Sequence, residues 1–285
     1  MSRRWFIVAI SFLSFIPLAY ADRIVPVPGI ERIALADAII VGRVTAMEPV
    51  DIDVPNAPGS LNKTKHRVAV VTVTETILGK KETKILRVGF VPLDPKATPR
   101  RYPPIHFRLA LGQEGLMFLR KHPTENLYVG SMEYDFIAYQ PVNLVAPAGA
   151  LVYQDELKHT RHIVKLIEDP LAGLQAKEPT DRYVTAAHLV LRYRTPRIPN
   201  AKTEPIGAEE SRLILSAIVD QDWKKQMAPP SHWVTFTRLG LTENDGWKAP
   251  KQIKDVSDLH TAVQAWYREH GKTYRIQRFL ADPVK

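Results

Sequence analysis

The chain has 285 residues, no cysteine and a formal charge of +9. Without cysteine there can be no disulfide, thiolate metal site or cysteine nucleophile, so packing must hold the fold. The positive excess is dispersed, with 16 basic against 13 acidic side chains in residues 22–145 and 21 against 17 in residues 146–285, and so selects no particular partner.

The chain opens as an export signal. Arg3 and Arg4 form a positive start, Trp5 to Leu18 a short apolar stretch, and Ala19-Tyr20-Ala21 a cleavage site with small residues at the positions that are read. The mature chain is therefore expected to begin at Asp22 and to act in the periplasm or outside the cell. The apolar run is shorter than the roughly twenty residues a membrane span needs, and Pro17 interrupts it, so no stable anchor is expected after cleavage. Ser2-Arg3-Arg4-Trp5-Phe6-Ile7 fits both a general secretory and a twin-arginine signal.

From residue 22 to 145 the hydrophobic period is two. Ile40, Gly42, Val44 and Ala46 alternate with Val41, Arg43 and Thr45; Ala69, Val71 and Val73 with Thr72 and Thr74; Leu86, Val88 and Phe90 with Arg87 and Gly89. Leu116 to Leu119 is a uniformly apolar fourth strand and Tyr128 to Phe136 a fifth, with Glu133 and Asp135 on its outer face. Five such strands favour a small barrel, because closure removes edges that would pair with other chains. Two proline-rich loops, Pro49 to Lys65 and Pro92 to Pro104, are expected to be extended and solvent-facing. The second carries Lys96, Arg100 and Arg101, which are candidate binding residues.

The ordered set Ala36-Asp37, Ile39-Ile40, Gly42, Val44, Val68, Val70, Ile77-Leu78-Gly79, Leu86, Val88, Gly112, Leu116, Phe118-Leu119 and Phe136 is similar to the strand pattern of netrin-like domains and tissue inhibitors of metalloproteinases. The resemblance implies an OB-type barrel over about a hundred residues. It does not carry inhibition with it, since those inhibitors act through an N-terminal cysteine, and Asp22 stands here.

After residue 150 the period is helical. Helices are predicted over Val152 to Glu168, Asp181 to Tyr193, Ala208 to Val219, Ser231 to Leu239 and Ser257 to His270, with Tyr274 to Leu280 a terminal strand or docked tail. Asp181 to Tyr193 is apolar around most of its circumference, which marks it as the central helix; Asp181, Thr185, His188 and Arg192 form its one polar stripe, on which His188 is expected to be exposed or capped. Asp181-Arg182-Tyr183, Tyr193 to Arg197, Lys202 to Pro205 and Gly240 to Trp247 resemble exported proteins of environmental bacteria that pair an OB-like domain with a helical one. That resemblance implies an architecture and no activity.

The expected fold class is thus α+β, with a five-stranded OB-like β-barrel over residues 22–145 and a separate α-helical domain over 146–285. Asp155, His159 and His162, spaced i, i+4 and i+7, share one helix face and could hold zinc or another divalent ion, the basis of an alternative reading as a metal-dependent hydrolase. The trio lies at the edge of the apolar stripe, with no obvious fourth ligand or base. His-Glu-x-x-His, Gly-x-Ser-x-Gly, Gly-x-Gly-x-x-Gly and phosphate-loop patterns are absent from the sequence. Tyr134, Phe136 and Phe118 could stack nucleic-acid bases, but their shared period assigns them to the core. The reading is an exported binding module for a protein or envelope polymer, with no cofactor called for and its site at the cleft between the halves and the proline-rich loops.

Overall fold

The computed structural model describes residues 29–56, 59–92, 107–130, 135–139, 152–198, 200–225, 230–250 and 252–280. The export segment and the Lys96, Arg100 and Arg101 loop lie outside them. The period-two segments form β1 (Ala38–Met47), β2 (Ile52–Pro55), β3 (Lys63–Leu78), β4 (Ile85–Phe90), β5 (Glu114–Lys121), β6 (Tyr128–Val129) and β7 (Phe136–Ala138), all in one sheet. β1 pairs antiparallel with β3, β3 with β4, β5 with β6 and β5 with β1, while β4 pairs parallel with β6, so the ladder leads back to β1. β2 pairs with β3, and β7 with β5. Three register shifts along β1 bend it as it is shared between two partners.

Two strand expectations need correction. The stretch from Pro49 to Lys65 is not an unpaired loop, because Ile52–Pro55 pairs with Lys63–His66 and extends the sheet as a hairpin. Its signal was present: Ile52 and Val54 alternate with Asp53, Val54 is buried, and Pro55 sits at the end of a strand that needs no further ladder donor. The fifth strand is not continuous from Tyr128 to Phe136: it comprises β6 and β7, and Met132, Glu133 and Tyr134 fall outside the described residues. Asp135, expected on an outer face, is buried.

The helical half contains α2 (Tyr153–Glu168), α3 (Pro170–Leu174), α4 (Pro179–Arg194), α5 (Ala208–Val219), α6 (His232–Thr237) and α7 (Val256–His270), all close to the predicted spans except α3, which was not expected. Ser231 caps α6 by accepting from the Val234 amide at 3.3 Å, and Asp255 caps α7 by accepting from the Ser257 and Asp258 amides. The tail is a strand: β9 (Gln277–Phe279) pairs with β8 (Thr203–Pro205). A short α1 (Gly29–Leu35), which the hydrophobic pattern had not singled out, buries Ile30, Ile33 and Ala34 ahead of β1.

Among the described residues three apolar clusters form the interior. Ala38, Ile40, Val44, Met117 and Leu119 pack with Val71, Val88 and Phe107 inside the sheet, and Ile214, Ile218, Trp223, Phe236 and Trp266 anchor the helices. The third joins the halves: Ile39, Val41, Leu116 and Phe118 pack with Ile33 of α1, Ile163 of α2 and Tyr183 and Leu191 of α4. Successive residues of β1 and β5 thus enter different clusters, since neighbouring side chains of a strand point to opposite faces. The expectation of two halves each enclosing a separate interior does not hold, because helices cover the outer face of the β1–β5 pair.

His188, on the polar stripe of α4, also departs from expectation. Thr185 is fully buried and His188 is 2% exposed. Gly173 of α3 lies against this face, where an added Cβ would come within 2.8 Å of Thr185 Oγ1. The Thr185 hydroxyl is satisfied within its own helix, donating to the Asp181 carbonyl at 2.8 Å.

A basic cleft as candidate functional site

An open cleft of about 1050 Å³ lies where the β2–β3 hairpin, the β5–β6 turn and the segment after α4 meet. Asp37, between α1 and β1, organises one wall. Its amide donates to the Leu119 carbonyl at 2.8 Å and its Oδ2 accepts from the Lys121 amide at 3.0 Å, which fixes the carboxylate against the end of β5. Its Oδ1 accepts from Arg197 Nη1, tying the segment Thr195 to Ile198 to the sheet. The loop after the central helix therefore becomes a wall of a cleft otherwise built largely by strands.

His122 fixes the turn that follows β5. Its Nδ1 lies 3.3 Å from the Thr124 amide and 3.2 Å from the Glu125 amide, both donors, so Nδ1 is an acceptor and carries no proton. Burial, and after it the nearby His66, push the His122 pKa down, against a weaker upward pull from Glu125 and the Pro55 carbonyl. This buried neutral ring joins the turn to the β2–β3 hairpin.

On the hairpin, His66 Nδ1 is 2.9 Å from the Thr64 carbonyl, which can only accept, so Nδ1 donates and Nε2 is left toward the cleft lining. The Thr64 hydroxyl donates to Asn56 Oδ1 at 2.6 Å, leaving the Asn56 amide NH₂ available as a donor. Tyr128 adds an aromatic wall, and burial, with Asp37 second, raises its pKa so that the phenol keeps its proton. Lys80, Arg120, Lys121 and Arg197 line the same space, and Asp37 is the one acidic side chain among the described lining residues.

The other site expectations fare differently. Asp155, His159 and His162 are all on α2 and exposed, but His162 Nε2 faces Asp181 Oδ1 of α4 at 2.9 Å, and His159 lies beside Gly29 of α1. Among the described residues no three His, Asp or Glu side chains are grouped to hold a metal ion. The helix-face spacing did place the three residues on one element. It could not foresee that α1 and α4 engage two of them from different sides. Phe118 is buried beneath the Arg32 guanidinium, which sits 4.7 Å from the ring centroid, and is not open to stacking with a base.

The cleft residues themselves escaped the sequence reading. Arg120-Lys121-His122-Pro123 directly after an apolar strand was a visible signal, whereas its meeting with Asp37 and Arg197 depends on contacts across 84 and 160 residues. No protein-family model and no curated protein matches the chain.

Proposed function

We propose that the protein is an exported binding module, a sheet of OB type buttressed by helices, whose ligand seat is the basic cleft. The export reading rests on Arg3 to Ala21. The OB reading is supported by the ladder that runs from β1 through β3, β4, β6 and β5 back to β1, with a parallel pair between β4 and β6. This pairing accords with the resemblance to netrin-like domains. The observation that carries the functional reading is the position of the cleft: the β1–β3 connection and the β5–β6 turn, which are the loops such barrels use for ligands, line it together with Arg197 from the helical half.

The absence of cysteine permits a direct test. Pro196→Cys places one thiol at the exposed rim of the cleft and Lys165→Cys places one on the exposed face of α2, each open to a bulky maleimide. Immobilised protein labelled at residue 196 should lose about tenfold or more of its capacity to retain envelope material, a loss of roughly 1.4 kcal/mol in affinity. Label at residue 165 should leave retention unchanged. Equal retention by the two labelled proteins would remove the cleft from consideration.

A further inference from the structure

Resting on the cleft as ligand seat, we infer that its ligand is an acidic glycan, a linear sugar polymer carrying carboxylates. The first reason is charge. Arg197 is engaged by Asp37, but Lys80, Arg120 and Lys121 reach the cleft without an ion-pair partner among the described residues. Three uncompensated cations around one concave surface focus a positive potential and favour a ligand with several negative groups.

The second reason is the neutral chemistry beside the cations. The Asn56 amide offers donors, and the Tyr128 phenol, which keeps its proton, both a donor and an acceptor, each oriented by a bond or burial already described. Paired donors and acceptors of this kind suit hydroxyl groups, which both give and take a hydrogen bond. Polyphosphate oxygens carry no hydroxyl donors along the chain, so a bare polyphosphate would leave the acceptor side of the Tyr128 hydroxyl unused. Single-stranded nucleic acid is served by successive aromatic platforms, whereas Tyr128 is the sole Phe, Tyr or Trp among the described lining residues. Pro55, Pro123 and Pro196 instead give flat, rigid, apolar surfaces for the faces of sugar rings.

Titration calorimetry of the full chain with oligogalacturonate tests the inference, using neutral dextran, polyphosphate and oligothymidylate as comparators. Oligogalacturonate should bind at least tenfold more tightly than each of the other three. Its affinity should fall as salt rises, and Arg120→Ala and Lys121→Ala should each weaken it by about fivefold, the upper range for an exposed charge pair. Asn56→Ala should weaken oligogalacturonate while leaving the urea unfolding midpoint near the parent's, a combination that misfolding would not produce.

Equal or tighter binding of polyphosphate or oligothymidylate would overturn the glycan assignment, as would oligogalacturonate binding that ignores Arg120 and Lys121. If oligogalacturonate fails while label at residue 196 still blocks envelope capture, the ligand class is wrong and the cleft reading survives. If that label has no effect on capture, the cleft reading itself has failed.

Discussion

His188 links burial to a measurable pH response. It is 2% exposed, its Nδ1 finds no hydrogen-bond partner among the described residues, and burial, aided by Arg192, pushes its pKa down to about 3 from 6.5. His232 is similarly depressed, to about 4, by burial first and His260 second. Between the folded and ordinary values the unfolded chain binds protons that the folded chain refuses, so stability is fully present above pH 6.5 and is lost as acid carries the solution toward pH 3. Each histidine contributes at most about 1.4 kcal/mol of loss per pH unit in that window. Replacing His188 by Leu removes one of the two and also removes a buried polar atom without a partner. Urea unfolding of His188→Leu near neutral pH should give a stability within about 1 kcal/mol of the parent, or above it. Below pH 6 its stability should fall less steeply; an unchanged acid slope would mean that His188 is not the group being titrated.

At the scale of elements, the pairing of β5 with β7 depends on the absence of a side chain. Gly115 lies opposite Ala138, and an added Cβ would stand 2.2 Å from the Ile137 carbonyl oxygen and 2.7 Å from Phe136 Cε2. Backbone cannot yield as a flexible side-chain tip does, so Gly115→Ala should push β7 off the sheet. The expected cost is about 3 kcal/mol, the upper range for overpacking, seen as a lower urea midpoint, and a midpoint within error of the parent would refute the tight register. The period-two and helical rhythms made most elements legible, including α5 over Ala208 to Val219 at both ends. Helix α1 was legible in principle from Ile30, Ile33 and Ala34, yet seven residues carry too few repeats of a period for the rhythm to stand out. The uniform run in β5 carried more than was taken from it, because Leu116 and Phe118 meet helices while Met117 and Leu119 meet the sheet interior. A strand apolar on both faces announces cover on both faces. The cleft was least legible, since Asp37, Lys121 and Arg197 become neighbours only through the fold.

For the whole molecule, the shared cluster decides how the chain should unfold. Sheet residues Ile39, Val41, Leu116 and Phe118 have the same buried partners as Ile163, Tyr183 and Leu191, so neither half can open without exposing the other's apolar surface. Ion pairs cross the same junction: Arg32 with Glu156 at 2.6 Å, Arg161 with Glu75 at 2.5 Å, Arg238 with Glu31 at 2.8 Å, and Arg197 with Asp37. Only the first is mainly buried, so it alone is expected to be costly to break, and the apolar cluster remains the principal tie. Four of the five tryptophans, Trp223, Trp233, Trp247 and Trp266, lie in the helical half and Trp5 lies outside the described residues, so in a Trp5→Phe background intrinsic fluorescence reports the helices alone. A dye on Glu82→Cys, in the exposed turn between β3 and β4, reports the sheet independently. Both signals should follow one urea transition, as expected when a single cooperative unit is present. Phe118→Ala removes a ring packed from sheet and helix together and should cost about 3–5 kcal/mol. Because that ring belongs to both halves, its loss should lower the two midpoints equally. A dye transition that moves while the tryptophan transition stays in place would show that the halves unfold separately and that the shared cluster does not couple them.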